Sequence, residues 1–455
     1  MKQYDLLVIG SGPGGQKAAI GAVEAGYSVA LVEEADKLGG SSLLTGMIPA
    51  KMLRENALNL QAIKRHADAF QFSLKKDIMM TAVSQNLDKI IHTHSEHTRE
   101  RLQGVTLYHG RARFVSGHAV EVHGLKKGEV TSIEANHIVI ATGSKPLELA
   151  QVPVNDEGVF DSHSIHSLHY LPRDFMVVGS GLIACVYASI FAALGVKVTL
   201  VDPASGPLSF LDDSLVEEFL VQFKNSGGRY LKHRTVKEVV SDKTGHVTVT
   251  LSDDVQIRAE KILIDVGRRA NLDMLQPGNA GLKLNVDGFL SVDEHGRTAV
   301  PHIYVVGDAT GQPPLSSLAM VQGRLAIAHI CGTSEKCPKN WHDIHISTIP
   351  ELASIGLTEN QAIEVYGAAL TGRVSLSESD QGAITGVTDG FLKLVCQPGS
   401  RRLLGVQVAG RGAAELIHMG EMGLLRECNA DFFLEDIFDT PTYAEVYRLA
   451  ALKIC

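Results

Sequence analysis

The amino-acid sequence predicts an α/β fold, because the same series of elements occurs at two places in the chain. Each copy is a short apolar run, a glycine-rich turn, an alanine-rich helical stretch and a second apolar run that ends on an acid. The acid is Glu33 in the first copy and Asp202 in the second, and it stands 23 positions after the first glycine in both (10 to 33 and 179 to 202). Two complete units with one spacing predict two Rossmann-like dinucleotide-binding domains.

The glycine positions explain how such a turn can hold a dinucleotide. The first glycine permits a tight turn, the second leaves room for a pyrophosphate, and the last lets helix and strand pack closely, while the helix N-terminus offers N–H groups. The alternative is a βαβ packing motif without a ligand, against which the duplicated acids argue. The candidate binding residues are Gly10, Gly12, Pro13, Gly14, Gly15 and Glu33 in the first copy and Gly179, Gly181 and Asp202 in the second.

The rest of the chain fits the same architecture. Three further buried-strand patterns lead into Ala141-Thr142-Gly143, Gly267 and Gly307-Asp308. After about residue 336 the pattern changes to alternating strands and two helical stretches, which indicates a separate C-terminal α/β domain. The predicted organisation is a discontinuous first domain over 1–150 and 273–336, a second domain over 151–272 and a third over 337–455.

Composition and charge narrow the class of function. The chain has 455 residues, 45% of them hydrophobic and 20% charged, as expected of a multi-domain globular protein. A formal charge of −9 gives no reason to expect nucleic acid or an anionic membrane as a partner. No apolar run approaches the ~18 residues of a membrane span, and a strand pattern directly after Met1 leaves no room for a signal peptide. Six scattered cysteines suit a reducing cytoplasm.

Several segments together resemble one family over essentially the whole chain, the pyridine nucleotide-disulfide oxidoreductases of dihydrolipoamide dehydrogenase and glutathione reductase. The resemblance lies in the segment Gly39 to Lys51, in the two strand-end signatures, in Gly307-Asp308 and in Thr348-Ile349-Pro350-Glu351. Residues 187–191 and 441–448 are similar to its transhydrogenase branch, which also lacks a complete redox disulfide.

This resemblance implies a cofactor for each domain. Glu33 would hold the adenosine ribose of FAD, Asp308 the flavin ribityl chain, and Lys51 would lie beside the flavin. The second domain would bind the nicotinamide nucleotide, and the C-terminal domain would form a homodimer. Further residues that the resemblance places at the cofactors are Gly40, Ser41, Ala141, Thr142, Gly143, Gly267 and Gly307.

Two departures from the family remove its thiol chemistry. The two redox cysteines, five residues apart, are replaced by Ser42 and Met47, and neither side chain can form a disulfide. The active-site histidine is replaced by Thr440, although its orienting glutamate remains as Glu445. Threonine cannot act as an acid or base near neutral pH. The sequence therefore predicts a flavoprotein without a dithiol relay.

Two other positions concern the nucleotides. The family pairs the lysine at position 51 with a glutamate whose place is taken by Val186, so the resemblance implies that Lys51 faces the flavin without this partner; the alternative is that Lys51 extends to solvent. Asp202 can accept hydrogen bonds from a ribose diol and repels a 2′-phosphate, and residues 203–208 contain no basic side chain. We therefore expect NAD(H) rather than NADP(H).

Histidines and the last cysteine suggest no additional site. His163, His166 and His169 recur every third residue, but no cysteine or acid cluster accompanies them, and we expect solvent-exposed linker histidines and no metal. Cys455 at the C-terminus has no partner in the sequence and is interpreted as incidental.

These observations predict an FAD-dependent NADH oxidoreductase that works as a cytoplasmic homodimer. Hydride would pass from NADH to the flavin and then directly to a small-molecule acceptor, namely a pyridine nucleotide, a quinone, a dye or oxygen. Lys51 and Glu445 are the candidate catalytic residues, with Glu445 shaping the acceptor pocket from the other subunit. The alternatives are a flavin-binding pseudoenzyme with a structural or regulatory role and, least favoured, a true dihydrolipoyl dehydrogenase.

Overall fold

A computed structural model of the chain describes residues 2–66, 86–126, 128–149, 152, 154–242, 245–333, 344–435 and 438–455. The chain divides into two compact units. The first consists of Met1–Pro49, Ser84–Leu147 and Gly267–Asn340, and the second of Ala50–Val83, Glu148–Val266 and Trp341–Cys455. Both units combine helices with sheets, so the predicted α/β class is confirmed.

The strands, in chain order, are β1 (Lys2–Ile9), β2 (Val29–Glu33), β3 (Val105–Phe114), β4 (Ala119–Gly124), β5 (Val130–Ile140), β6 (Ser144–Pro146), β7 (Val159–Asp161), β8 (Asp174–Val178), β9 (Lys197–Val201), β10 (Arg229–Leu231), β11 (Val236–Ser241), β12 (Val247–Leu251), β13 (Gln256–Ala259), β14 (Lys261–Ile264), β15 (Arg268–Ala270), β16 (Ile303–Val305), β17 (Ile344–Ile346), β18 (Leu352–Gly356), β19 (Leu370–Ser375), β20 (Phe391–Cys396) and β21 (Leu403–Ala409). The α-helices are α1 (Pro13–Glu24), α2 (Gly40–Leu44), α3 (Met47–His66), α4 (Leu87–Arg101), α5 (Leu182–Ala193), α6 (Asp213–Asn225), α7 (Ser316–Ile330), α8 (Glu359–Tyr366), α9 (Asp380–Thr385), α10 (Ala413–Leu425), α11 (Phe432–Glu435) and α12 (Val446–Leu452).

The first unit is built around a six-stranded sheet. Strand β1 lies between β2 and β5 and is parallel to both, and β3 and β16 extend the parallel part beyond them, while β4 connects β3 and β5 in antiparallel pairing. Alternate residues of β1 enter different cores: Leu7 and Ile9 pack on one face, Leu6 and Val8 on the other. Because both faces are covered, β1 reads as a continuous apolar run.

The second unit contains the other glycine-loop copy and the C-terminal sheet. Its parallel sheet has the strand order β10-β9-β8-β14-β7. Between β10 and β14 the chain forms a separate three-stranded antiparallel sheet of order β11-β12-β13. The C-terminal region forms an antiparallel sheet of order β17-β18-β21-β20-β19. The boundary drawn between the second and third domains stays a prediction.

Helix α5 lies at the centre of the second unit. Ten consecutive residues from Ala184 to Ala193 are buried, which explains why this helix is apolar on all sides. It shares one hydrophobic core with Leu53 and Ala57 of α3 and with Leu352 and Phe391 of the C-terminal sheet. The second glycine loop leads directly into this buried helix, whose N-cap is Gly181.

A buried ion-pair cluster also stabilises the second unit. The Lys393 ammonium, on β20, lies 2.8 Å from Asp212 Oδ1 and 2.7 Å from Glu359 Oε2. Asp212 also caps helix α6 by accepting the N–H of Ser214. Burial alone would raise the pKa of Asp212, but the hydrogen bonds from Lys393, Ser214 and the Glu359 N–H lower it below its usual value.

Replacing Lys393 with Met should therefore destabilise the second unit strongly, because the Asp212 carboxylate would stay buried without a cation. Loss of one partner from a buried pair costs about 3–5 kcal/mol, which urea unfolding followed by circular dichroism will measure. The pair stabilises the wild type above the unfolded Asp pKa of about 4 and this contribution is lost as the pH falls through the lowered folded pKa. The variant should lack that part of the acid dependence.

Lys237→Met is the matched control, since Lys237 pairs with Asp254 at an exposed site of the same unit. An exposed ion pair contributes little to stability, so this variant should unfold at the wild-type urea concentration. Equal midpoints for both variants would contradict the role given to Lys393.

Candidate functional site

The first glycine loop connects β1 to α1 and requires glycine for two reasons. Gly10 has φ +106°, and a Cβ there would lie 2.4 Å from the Ala141 carbonyl oxygen. A Cβ on Gly15 would lie 2.0 Å from the Gly10 oxygen. A Cβ on Gly12, in contrast, would have no atom within 4 Å. The loop is thus closely packed at Gly10 and Gly15 and faces open space at Gly12. The N-terminus of α1 is not capped by a side chain, and its first turn contains no acidic residue.

Glu33, at the end of β2, fastens this loop. Its Oε2 accepts the Ser11 N–H at 2.8 Å and the Ser11 hydroxyl at 2.6 Å, and its Oε1 accepts the Ala35 N–H at 2.9 Å. The Ser11 hydroxyl oxygen in turn accepts the Gly39 N–H at 3.0 Å. A carboxylate offers about four acceptor positions, so half-buried Glu33 can accept a further hydrogen bond.

Polar groups also gather where β5 and β16 end. The Thr142 hydroxyl is buried and has no hydrogen-bond partner among the described residues, and a Cβ on Gly143 would meet open space. Asp308 Oδ2 accepts the Ser144 hydroxyl at 2.6 Å, and Arg268 Nε lies 2.7 Å from the same hydroxyl oxygen and 4.0 Å from Asp308.

Sequence reasoning found Asp308 but gave no role to the side chains that hold it and its neighbour. Ser144 and Arg268 orient Asp308, and Gln322 Oε1 accepts the Gly307 N–H at 2.6 Å. Arg268 follows the predicted residue Gly267, and Ser144 follows Gly143, so both lay next to recognised motifs. Gln322 carried no such signal, because it enters from α7.

These groups fit an extended dinucleotide such as FAD. The open space at Gly12 and Gly143, the buried Thr142 hydroxyl without a partner and the free acceptor position of Glu33 are features that a ligand would complete. Gly40 lies against the first glycine loop, because a Cβ on Gly40 would lie 2.8 Å from the Gly12 Cα. Ser41 follows it in α2 and is exposed, and its contact with a cofactor stays a prediction.

The two positions of the lost disulfide are occupied by side chains without thiol chemistry. Ser42, in α2, has its hydroxyl oxygen 2.5 Å from that of Ser316 at the start of α7. Met47 is the first residue of α3 and is 44% exposed. A hydroxyl pair therefore takes the place of a redox-active sulfur.

The second glycine loop repeats the first in its hydrogen bonds. Gly179 has φ +121°, and a Cβ there would lie 1.9 Å from the Asp265 oxygen, whereas a Cβ on Gly181 would meet open space. The Ser180 hydroxyl donates to Asp202 Oδ1 at 2.5 Å, as Ser11 donates to Glu33. Ser180 and Ser11 thus fasten both loops to the acids at the strand ends.

Asp202 nevertheless differs from Glu33 in its exposure. It is 0% exposed, and besides Ser180 it accepts the Ala204 N–H at 2.7 Å and the Tyr230 hydroxyl at 2.5 Å. Burial and the hydrogen bond to Asp202 raise the pKa of Tyr230 well above its usual range. Tyr230 was not found from the sequence.

A second carboxylate lies near the N-terminus of α5. Asp265 Oδ2 accepts the N–H of Ala184, in the first turn of the helix, at 3.0 Å. Burial, together with the charges of Asp202 and Asp265, raises the pKa of the Cys185 thiol well above its usual value. Asp265 was also missed, although it stands directly before the recognised Val266-Gly267 turn.

The candidate catalytic residues lie in the second unit. Lys51, in α3, is half-buried and forms no hydrogen bond or ion pair within the part of the chain that the structure describes. Val186, in α5, is buried in the core that also contains Leu53. Glu445 is buried and lies 2.7 Å from the Arg448 guanidinium, while Thr440 is exposed. The positions of Lys51 and Glu445 relative to a flavin stay predictions.

The interpretation of the linker histidines as solvent-exposed was wrong for His163 and His166, which are both half-buried, whereas His169 is exposed. The Nε2 of His166 lies 2.9 Å from the hydroxyl of buried Tyr187, so this ring packs against α5. Among the described residues no group of three potential ligands could hold a metal ion. Within the same residues, every helix is too short or too polar to cross a membrane.

Comparisons with known proteins agree over both units. A family model described as pyridine nucleotide-disulphide oxidoreductase matches residues 4–323, and one described as the dimerisation domain of that family matches residues 344–451. The chain is 35% identical to a soluble pyridine nucleotide transhydrogenase of Mycobacterium bovis, covering 100% of this chain and 97% of that protein. A transhydrogenase of Marinobacter nauticus is also 35% identical, with 99% and 98% covered.

Solved structures show the same fold. LpdA from Mycobacterium tuberculosis superposes with a TM-score of 0.90 at 24% identity, and all of both chains is covered. The flavoprotein disulfide reductase RclA from Escherichia coli gives a TM-score of 0.88 at 23% identity, with 99% of each chain covered. The family resemblance inferred from the sequence is therefore confirmed. The chain belongs to the pyridine nucleotide-disulphide oxidoreductase family and is an FAD-dependent pyridine nucleotide oxidoreductase.

Proposed function

We propose that this enzyme oxidises NADH and passes the electrons directly to an acceptor that is not a disulfide. The observation that carries the proposal is the hydrogen bond between Ser42 and Ser316 where the family has redox sulfur. Met47 cannot supply a thiolate, and exposed Thr440 cannot supply the acid or base that a thiol needs. Without a dithiol, the acceptor has to meet the reduced cofactor itself.

We infer that the first unit holds FAD through backbone and side chains already in place. The N-terminus of α1 and the open space at Gly12 would receive the pyrophosphate, Glu33 the adenosine ribose and Asp308 the ribityl chain. FAD, when bound, takes up a hydride from reduced nicotinamide and gives two electrons to a second acceptor. The protein would supply binding and orientation, with the Ser42–Ser316 hydroxyl pair at the position of the redox sulfur.

The second glycine loop would bind the nicotinamide nucleotide, with Gly179 and Gly181 at the pyrophosphate. NAD(H) is favoured over NADP(H), because Asp202 places a carboxylate at the ribose corner and residues 203–208 contain no cation for a 2′-phosphate. Lys51 would lie beside the flavin.

The acceptor we favour is a second pyridine nucleotide, since relatives at 35% identity are named soluble pyridine nucleotide transhydrogenases. A quinone, a dye and oxygen are the other small molecules to test. We place the enzyme in the cytoplasm, in keeping with its scattered cysteines.

A homodimer is supported by the match to the dimerisation domain and by exposed apolar side chains in that region. Met422 and Leu425 on α10, Phe432 on α11 and Leu452 on α12 are all more than two-fifths exposed, and such side chains are typical of interfaces. In a dimer, Glu445 with its Arg448 partner would shape the acceptor pocket of the other subunit.

A second candidate is a flavin-binding pseudoenzyme with a structural or regulatory role. Asp265 favours it, because its negative charge at the N-terminus of α5 opposes a pyrophosphate that this helix end would otherwise attract. Val186 adds to this, since it removes a family carboxylate near the nicotinamide.

Anaerobic mixing of the FAD-loaded enzyme with NADH tests the proposal. The flavin absorbance should bleach, and stopped-flow mixing with NADP⁺, quinones, dyes or oxygen should show which oxidant restores it. A flavin that stays oxidised would favour the pseudoenzyme. Turnover of dihydrolipoamide would overturn the argument from Ser42, Met47 and Thr440.

Gly12→Ala should weaken FAD binding without disturbing the fold. Gly12 has φ −64°, which alanine adopts easily, and its new methyl group would enter only the open space assigned to the pyrophosphate. We expect the FAD dissociation constant to rise by about tenfold or more, as measured by flavin fluorescence on titration of the apoprotein.

Gly278→Ala is the control for this variant. Gly278 lies in the same unit, and a Cβ there also has no atom within 4 Å. It should bind FAD like the wild type. Wild-type FAD affinity in Gly12→Ala would show that the pyrophosphate does not approach this position.

Asp265→Asn should strengthen binding of NAD⁺. The asparagine oxygen can still accept the Ala184 N–H, so the helix cap remains while the charge is removed. Removing one such repulsive charge contributes about 1–2 kcal/mol at an effective dielectric constant of about 20, so the NAD⁺ dissociation constant, measured by calorimetry, should fall about five- to thirtyfold.

Asp254→Asn removes a charge from an exposed turn of the same unit and should leave the NAD⁺ affinity unchanged. If Asp265→Asn behaves like this control, the carboxylate does not oppose the nucleotide, and the argument for the pseudoenzyme from Asp265 fails.

A further inference from the structure

The acid that follows the second glycine loop, Asp202, has a tyrosine partner that the corresponding acid of the first loop, Glu33, lacks. We call the surroundings of Asp202 the ribose corner. In the first unit the acid Glu33 is half-buried and its oxygens accept three bonds from neighbouring residues of the loops. In the second unit the acid Asp202 is entirely buried and its third donor is Tyr230, which comes from the edge strand β10. Tyr230 itself is only partly buried.

The hydrogen bond between them fixes the direction of the Tyr230 hydroxyl. An ionised carboxylate only accepts hydrogen bonds, and a phenol has a single proton to donate. At an O···O distance of 2.5 Å that proton lies towards Asp202 Oδ2. The other side of the phenol oxygen therefore offers lone pairs and no proton.

Asp202 has no oxygen surface open to a ligand. Its Oδ1 receives Ser180 and the Ala204 N–H, its Oδ2 receives Tyr230, and none of the residue is exposed. A ribose could reach the carboxylate only by breaking a short charge-assisted hydrogen bond. Of its donors, Tyr230 is half-buried and Ala204 is exposed, so these residues lie between Asp202 and solvent.

We infer that Tyr230 is the specificity-determining residue of the nicotinamide nucleotide site. It binds the adenosine ribose directly, whereas Asp202 is buried behind it and acts through its hydrogen bond to Tyr230. A 2′-hydroxyl of NADH donates to the phenol oxygen, which completes a chain from ribose to Tyr230 to Asp202. A 2′-phosphate of NADPH carries acceptors only, so it finds no proton there and meets the negative charge behind it. This inference rests on the proposed binding of a nicotinamide nucleotide at Gly179–Gly181.

Protonation of the phenol persists over the working range of pH. Burial and Asp202 raise the pKa of Tyr230 well above its usual range, so the hydroxyl stays neutral at pH 6–9. The preference between the two nucleotides should accordingly be constant between about pH 7.5 and 9, where the 2′-phosphate, whose second pKa is about 6, also keeps its full charge.

Tyr230→Phe tests the inference, with calorimetric titration of the flavin-loaded oxidised enzyme by NAD⁺ and NADP⁺, so that no electron transfer takes place. Loss of one hydrogen bond should weaken NAD⁺ binding about five- to tenfold. NADP⁺ affinity should change less than about twofold. The ratio of NAD⁺ to NADP⁺ affinity should therefore fall by nearly as much as the NAD⁺ affinity itself. NAD⁺ affinity that is unchanged or increased would overturn the inference, since it would mean that the ribose binds Asp202 directly.

A second variant and a control separate this role from a structural one. In Asp202→Asn the side-chain amide can donate to the phenol oxygen, which frees the Tyr230 proton for a ligand. NADP⁺ should then bind more tightly than in the wild type while NAD⁺ binds less tightly, and an unchanged ratio would contradict the relay. Tyr4→Phe removes a half-buried tyrosine hydroxyl that bonds to Tyr108 at 2.8 Å in the first unit and should leave both affinities unchanged.

The proposed function and the inference about Tyr230 are tested by different measurements. Reduction of the wild-type flavin by NADH tests the function, whereas the change of the NAD⁺ to NADP⁺ ratio in Tyr230→Phe tests the residue. If NADH does not reduce the wild-type flavin but Tyr230→Phe shifts the ratio of NAD⁺ to NADP⁺ affinity as expected, the inference holds and the proposed NADH oxidoreductase is rejected. A wild type that binds neither nucleotide would reject both.

Discussion

The hydrogen bond between a loop serine and the acid at the end of the next strand is the constraint on which the conformation of both glycine loops depends. Ser11 donates to Glu33, and Ser180 donates to Asp202. A glycine-rich loop has high conformational entropy in the unfolded chain, and a charge-assisted bond at its centre offsets part of the cost of ordering it. The same bond also helps to position the N-terminus of the following helix, because the loop leads directly into α1 or α5.

The sequence was sufficient to predict those features that repeat or that depend on local conformation. The α/β class, the two loops and the two acids follow from spacing, and positive φ at Gly10 and Gly179 agrees with the glycines found there. Helix α5 was recognised as a helix from its pattern, and its burial on all sides fits its apolar composition.

The missed residues reach their partners across large separations in sequence. Tyr230 meets Asp202 from 28 positions away, Asp265 meets Ala184 from 81, and Ser144 meets Asp308 from 164. Spacing rules apply to neighbours in a helix or strand, and none of them describes which edge strand will place a phenol beside a carboxylate. His166 shows the same limit, since a linker histidine became a partner of buried Tyr187 only through the packing of α5.

The hydroxyl pair of Ser42 and Ser316 has one further consequence. A cysteine pair at the flavin gives an enzyme two oxidation states of its own and makes it responsive to the glutathione pool, to peroxides and to alkylating reagents. Serine hydroxyls neither ionise nor change oxidation state under cellular conditions. Among the cysteines that the structure describes, Cys185 and Cys396 are buried with raised pKa values, which also makes them unreactive. The Ser42–Ser316 pair therefore keeps a single chemical state when the thiol balance of the cell changes.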